Sequence, residues 1–466
     1  MLRRSLAALA LTCLSLVAAP ASAQSDAERA RARELIERVV GFNTATGDQN
    51  IAMANYLAER FRAGGFAAEN VHIINGGDSA GILVRYRGDG SGGRPILFLA
   101  HMDVVPARRE EWERDPFTLV EENGMLFGRG VLDNKAGLVH IASTFLALRA
   151  EGFRPTRDLI FWFSGDEETT GLTTQALLAD HRALLGDAEF ALNSDAGGGQ
   201  LAPDGRALTY VLQTAEKTYA SFTFTVRNPG GHSSAPRADN AIYELSAALQ
   251  RLQAFEFPIQ WNDTTLASFR NVANAFPGPE GQAMRRWADG PADRALQRAL
   301  SRTSMGNMMR TTCVATMLSG GHAENALPQT ATATVNCRIF PGVPVADVLS
   351  ELRAIAGSGV EVTQLGPSNF SDASPLRADV MQAVTRTVHA RYPGIVITPY
   401  MSAGATDGIF FRAAGIPTYG VSGVFMRGSD VYAHGLNERV PSDGFYAGLT
   451  HWRGLINELA ARPAGP

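Results

Sequence analysis

Polar residues able to do chemistry gather where apolar runs end. The run "PILFLA" gives way to "HMDVVP", so His101 and Asp103 stand two apart, on one side of an extended chain. That spacing suits a metal-bound imidazole held by a carboxylate, and it equally suits a structural histidine with an ion-pair partner. In "GRGVLDNKAG", Asp133 occupies a glycine-flanked turn before a helix-like segment, where a helix cap and a metal ligand both call for a carboxylate. The run "LIFWF" delivers "SGDEETTG", which places Glu167 and Glu168 in a row of acids. Like charges this close need a cation or full solvation. "FALNSDAGG" adds Asp195, and "YAHGLNERVP" adds His434. Each has a structural reading by itself; together they are the inventory of a two-metal site. Two Zn²⁺ would be balanced by Asp133, Glu168, Asp195 and a bridging hydroxide, with His101 and His434 completing the coordination. Glu167 is then left over to take a proton. The chain has no G-x-S-x-G elbow, Walker loop or G-x-G-x-x-G.

These residues require a sheet whose strands end together. Short apolar runs at "GILVRY", "PILFLAH", "DLIFWFSG" and "EFALNSD" are separated by helix-length segments such as "AGLVHIASTFLALRAEG". That alternation predicts an α/β fold with a mainly parallel sheet covered by helices, which binds ligands beyond the carboxyl ends of its strands. Two amphipathic helices precede it, and "GIVITPY", "IPTYGVS" and a helix from Pro441 to Ala461 resume it near the C-terminus. Between them the pattern becomes α+β: a strand "SFTFTVR", a helix "NAIYELSAALQRLQ", an irregular stretch from Phe255 to Thr311, and two strands. The expected organisation is a signal segment over 1–23, a catalytic domain in two parts over 24–214 and 343–466, and an inserted domain over 215–342. The two last strands carry Cys313 and Cys337, whose index sum centres an antiparallel pairing on Asn325. A cross-strand disulfide and two small core cysteines both fit that arrangement.

Composition narrows the function. A formal charge of −4 and the absence of any Lys/Arg run longer than two exclude a nucleic-acid footprint. Arg3 and Arg4, the apolar stretch Leu6 to Ala19 and Ala21-Ser22-Ala23 read as a signal peptide, giving an exported, periplasmic or secreted protein. Cys13 is the alternative lipoprotein feature. No later stretch approaches the ~20 apolar residues of a membrane span.

On these motifs the sequence resembles the co-catalytic zinc metallopeptidase family of glutamate carboxypeptidase, Gly-Xaa carboxypeptidase, succinyl-diaminopimelate desuccinylase, acetylornithine deacetylase and aminoacylase. The resemblance covers nearly all of the mature chain. It implies Asp133 as the carboxylate bridging two zincs, in a cis Asp133–Asn134 peptide, with His101 and Asp195 on one metal and Glu168 and His434 on the other. It further implies Glu167 as general base, Asp103 as the group orienting His101, and a zinc-held hydroxide as the nucleophile. Cobalt or manganese are alternatives to zinc at such a site. The insertion resembles the family's lid domain: "GGHSSAP" implies that His232 reaches the scissile carbonyl, from the partner subunit in dimeric members. "AENALPQ" implies Asn325 as a carbonyl donor, "NCRIFPG" implies Arg338 as the partner of a substrate carboxylate, and "SAGATDG" implies Gly404 and Thr406 beside it. The long stretch 255–311 resembles the larger carboxypeptidase-type members and leaves monomer and homodimer both open.

The implied activity is hydrolysis of an amide bond next to a free-carboxylate amino acid in a small peptide, as a carboxypeptidase or dipeptidase, with an N-acyl-amino-acid amidohydrolase (deacylase) as the alternative. A non-catalytic homologue is the remaining alternative. One compositional oddity bears on the site: the 42 basic residues include only two lysines, Lys135 and Lys217. Lys135 falls two residues after Asp133, which makes it a candidate support for the metal ligands, at a place where a compact ammonium fits better than a broad guanidinium. Lys217 falls at the seam where the insertion begins.

Overall fold

Strands Ile96–His101, Leu159–Ser164 and Phe190–Asn193 are buried along their whole length, as continuous apolar runs require when helices cover both faces of a sheet. The computed structural model describes residues 26–462; the expected signal segment and Cys13 lie outside them. The large sheet runs Val71–Gly76, Ser79–Tyr86, Leu159–Ser164, Ile96–His101, Phe190–Asn193, Thr418–Gly420, Ala207–Glu216, Gly198–Leu201 and Phe425–Arg427, with Val396–Ser402 also beside Ala207–Glu216. Its centre, from Leu159–Ser164 to Thr418–Gly420, is parallel, and antiparallel neighbours flank it. The two faces have separate cores: Phe98, Phe161 and Phe163 pack toward helices Lys135–Ala150 and Ser442–Ala460, and Leu97, Leu99 and Trp162 pack toward Leu177 and Phe411.

A small sheet, Val120–Glu122, Met125–Phe127 and Arg439–Pro441, ties two distant segments together. Phe127 stands opposite Arg439, so the loop leading to Asp133 and the loop holding His434 lie at the same end.

The insertion forms a four-stranded antiparallel sheet in the order Thr312–Gly320, Thr330–Ile339, Thr218–Arg227, Glu361–Leu365, covered by helices Ala241–Ala254 and Val345–Ala356. The unit therefore continues past the expected boundary at 342, because the helix and strand after it bury their apolar residues on the same sheet. Cys313 stands directly opposite Cys337 and the two are joined as a disulfide. The index-sum register holds up to a bulge after Ala315.

The stretch from Phe255 to Thr311 is not irregular. It forms helices Asp263–Val272, Pro279–Asp289 and Arg294–Leu300 around a core of Phe269, Met284, Trp287 and Met309. Each start is locally encoded: Asn262 and Thr265 make a capping box, Pro279 occupies a first helical turn, and Asp293 caps the third helix. The helices are short and punctuated by Pro and Gly, which hides their period from a long window. The first packs on the catalytic sheet, where Asn271 donates to the Ile397 carbonyl at 3.0 Å.

Candidate metal centre

Three parallel strands end at one edge of the sheet and project His101, the Glu167–Glu168 turn and Asp195 over it, while the small sheet brings in Asp133 and His434. The ligand atoms of His101, Asp133 and Asp195 lie within 4.8 Å of one another, as do those of Asp133, Glu168 and His434. His101 Nε2 is 3.0 Å from Asp133 Oδ1 and 3.4 Å from Asp195 Oδ1. His434 Nε2 is 2.8 Å from Glu168 Oε1 and 3.3 Å from Asp133 Oδ2. Asp133 thus offers one oxygen to each triplet. Its peptide bond to Asn134 is cis.

The surroundings fix these side chains. Nδ1 of His101 donates to the Asp103 carbonyl at 3.0 Å, which leaves Nε2 free to ligate. The Asp103 carboxylate lies farther from the ring, at 3.5 Å, and instead accepts the backbone N–H groups of Glu167 and Glu168 at 3.1 and 2.9 Å. It orients the imidazole mainly through its backbone and holds the two-glutamate turn with its side chain. Asn134 donates to Asp195 at 3.1 Å and accepts from Ser194 at 2.6 Å.

Sequence reasoning missed Glu438. This buried carboxylate accepts the N–H groups of Leu132, Asp133 and Gly130 at 2.8, 3.0 and 3.0 Å and pairs with Arg129 at 2.7 Å, clamping the loop that presents Asp133. The available signal was an acid four residues after His434.

Lys135 does not face the ligands. Its buried ammonium donates to the Phe42 carbonyl at 2.8 Å, and burial, opposed by Glu438 and Asp103, lowers its pKa to about 7. Lys217 donates to the carbonyls of Asn307 and Arg310 at 2.6 and 2.7 Å, fastening the helical stretch to the point where the chain enters the insertion.

The charges do not balance within the protein. Among the described residues, no lysine or arginine pairs with Asp133, Glu167, Glu168 or Asp195. Burial and the neighbouring Asp195 push Glu167 well above the usual carboxylate range, and burial raises Asp195 to about 7. Burial opposes ionisation of Asp133 as well, yet His101 and His434 hold it low. His434 is raised to about 9 by its hydrogen bond to Asp133 and by Glu168. His101 is raised despite complete burial, by Asp195, Asp103 and Asp133. Two imidazoles flanked by clustered buried carboxylates are a donor set that divalent cations compensate.

The other expected residues are distributed differently. His232 and Asn325 come together, both exposed, on the short ribbon of Gly231–His232 with Ala326–Leu327. His232 Nδ1 accepts from Ser234, and neither residue lines the cavity over the ligands. Arg338 is half-buried, stacks on Tyr219 and donates one arm to the Ala403 carbonyl at 2.8 Å. Gly404 donates to Ser402, and the Thr406 hydroxyl accepts from Gly408 and bonds Glu216, so both are satisfied internally. Thr406 does line the cavity, a space of about 540 Å³ that opens from Asp133, Glu167, Glu168, Asp195 and His434.

Residues 97–458 match the model of peptidase family M20/M25/M40. The chain is 31% identical to the human N-fatty-acyl-amino acid synthase/hydrolase PM20D1 over 74% of its own length and 70% of the human protein. It is 26% identical to mouse aminoacylase-1, over 88% and 90% of the two chains. Among solved structures, it resembles the M20 family metallo-carboxypeptidase Sso-CP2 from Sulfolobus solfataricus with a TM-score of 0.70, 18% identity and coverage of 92% and 99%. The dipeptidase Dug1p from Saccharomyces cerevisiae has a TM-score of 0.65, 17% identity and coverage of 93% and 96%. With its ligand inventory converged at one sheet edge, the chain belongs to peptidase family M20/M25/M40, a family of metal-dependent hydrolases of metallopeptidase and amidohydrolase type.

Proposed function

We propose that this protein hydrolyses the amide bond of N-acyl amino acids, releasing a carboxylic acid and an amino acid. The observation that carries the choice of acyl group is the cavity wall: beyond the ligand cluster it contains no charged side chain. A dipeptide would bring an α-ammonium there with no spare carboxylate to meet it, whereas an acyl group needs none. The names of PM20D1 and aminoacylase-1 favour the same reading. A carboxypeptidase or dipeptidase is the second reading, favoured by the names of the similar solved structures.

Five residues would hold two divalent ions, zinc by preference with cobalt or manganese as alternatives: His101 and Asp195 on one, Glu168 and His434 on the other, Asp133 on both. When bound, the ions polarise the carbonyl, activate water and keep the neighbouring carboxyls ionised. Glu167 takes the proton of the attacking water and returns it to the departing nitrogen as the C–N bond breaks. Arg338 receives the carboxylate of the amino-acid portion with the part of its guanidinium not used on Ala403.

Two further features belong to this reading. The edge strand Thr312–Gly320 leaves Val314, Met317 and Leu318 58%, 68% and 70% exposed, which supports a homodimer through the insertion and delivery of His232 to the partner's site. The Cys313–Cys337 disulfide supports export to an oxidising compartment. Cell fractionation with N-terminal sequencing tests the latter, expecting a chain that starts near Gln24.

A panel of N-acyl amino acids, dipeptides and C-terminally amidated controls tests the activity. N-acyl amino acids should be the best substrates, and amidation should cost about 100-fold or more, because Arg338 is then left unpaired. Equal turnover of the amidated compounds would remove Arg338 from its role.

A further inference from the structure

The segment that carries Glu167 and Glu168 is gripped from behind at both of its ends. Asp407, buried at the start of helix Gly408–Ala413, accepts the Ser164 hydroxyl with one carboxylate oxygen and the Thr174 hydroxyl with the other, the latter at 2.9 Å. Ser164 ends the strand that leads into the two-glutamate turn, and Thr174 lies in helix Leu172–Asp180, which leads out of it. Among the described residues no lysine or arginine pairs with Asp407, and Arg412 in the same helix is taken by Glu216. A buried carboxyl held by two neutral hydroxyls costs stability that an apolar residue would not, which argues for a role beyond packing.

The same short stretch of chain also reaches the insertion. The Ser402 carbonyl accepts the Lys217 N–H at 2.9 Å where the insertion begins, and the Ala403 carbonyl takes one arm of Arg338 at 2.8 Å. Thr406 lines the cavity, and Asp407 follows it. Residues 402–407 therefore form a strap, with the proposed partner of the substrate carboxylate at one end and the segment bearing Glu167 at the other. We propose that Asp407 is a positioning residue that makes the placing of Glu167 depend on a carboxylate bound at Arg338. The inference rests on the role given to Arg338 under the amidohydrolase reading and deepens it. An anion on the free part of the guanidinium fixes it, its other arm then holds Ala403, and the strap holds Ser164 and Thr174. Binding energy from a remote part of the substrate is in this way used to orient the reacting groups, so loss of that part lowers kcat as well as weakening binding.

The test compares the best N-acyl amino acid of the panel with its C-terminal amide, in the full-length zinc-loaded protein and in its Asp407→Ala and Ser164→Ala variants. In wild type, amidation should lower kcat by about tenfold or more, as a misplaced reacting group does. Both variants should lower kcat for the free-carboxylate compound by about tenfold and hardly change it for the amide, with zinc content unchanged by elemental analysis. Ser164→Ala removes a single hydroxyl, so a folding defect in Asp407→Ala does not remove the test. A wild-type penalty confined to KM, or variants that lower kcat equally for both compounds, overturns the coupling and leaves Arg338 as the carboxylate partner. Wild-type kcat and KM that are both indifferent to amidation overturn both.

Discussion

Glu167 is the ligand-cluster carboxylate with least to do structurally, since its own contribution to the turn is a backbone N–H donated to Asp103. Replacing it by Gln should therefore leave bound metal unchanged by elemental analysis while lowering kcat by about 10²–10⁴-fold. Near-normal turnover would exclude it as the base. Glu438 behaves in the opposite way, because it touches no ligand atom yet holds the Asp133 loop through three N–H groups and Arg129. Glu438→Gln should weaken zinc about 10–100-fold in a chelator competition, as loss of an outer partner does. Unfolding in urea should show a cost of about 3–5 kcal/mol from the orphaned Arg129. The candidate ligands His101, Asp133, Glu168 and Asp195 were legible in the sequence because each closely follows an apolar strand or precedes a helix, whereas His434 lies in a turn and was reached only through the motif around it. Glu438 was not legible, since its role exists only once residues three hundred positions apart are paired. The direction of Lys135 was equally hidden: spacing put it beside Asp133, and the helix it begins turns it toward Phe42.

Among the elements, the central strands and the flanking helices follow from the period of their apolar residues, whereas the helices of 255–311, read from the sequence as irregular, are signalled only by their caps. The edge strand Thr312–Gly320 is mostly exposed and is held on one side by its ladder to Thr330–Ile339 and by the disulfide. The bridged residues are 24 apart, and removing the bridge by Cys313→Ala with Cys337→Ala should cost about 3 kcal/mol. Urea melts with and without reductant measure this, and indistinguishable curves would mean that the strand is held otherwise. Helices Lys135–Ala150 and Ser442–Ala460 meet at His140, whose ring lies against Gly448 and Phe445. Burial lowers His140 to about 3 and the neighbouring His451 to about 4, from an ordinary 6.5. The unfolded chain then binds protons first, so stability present above pH 6.5 is lost progressively on acidification. His451→Gln, which can still donate to the Val421 carbonyl, should flatten the fall in Tm between pH 6.5 and about 4. A slope equal to wild type would assign the acid sensitivity to other groups.

For the molecule as a whole, chelation should abolish hydrolysis and lower Tm, because clustered buried carboxylates lose their compensating charge; re-addition of zinc should restore both. An undiminished Tm after verified metal removal would contradict the charge argument. Sedimentation should find a dimer that Leu318→Asp dissociates, and a wild-type monomer at all concentrations would exclude assembly through that edge. The pairing of Met125–Phe127 with Arg439–Pro441 carries a temporal meaning too. Synthesis runs from the N-terminus and leading segments fold first, so the strands up to Phe190–Asn193 and four of the five candidate ligands can be in place while His434 and Glu438 have yet to leave the ribosome. A nascent chain therefore carries a scaffold without a working centre for most of its elongation, and hydrolytic competence arrives only with its final segment.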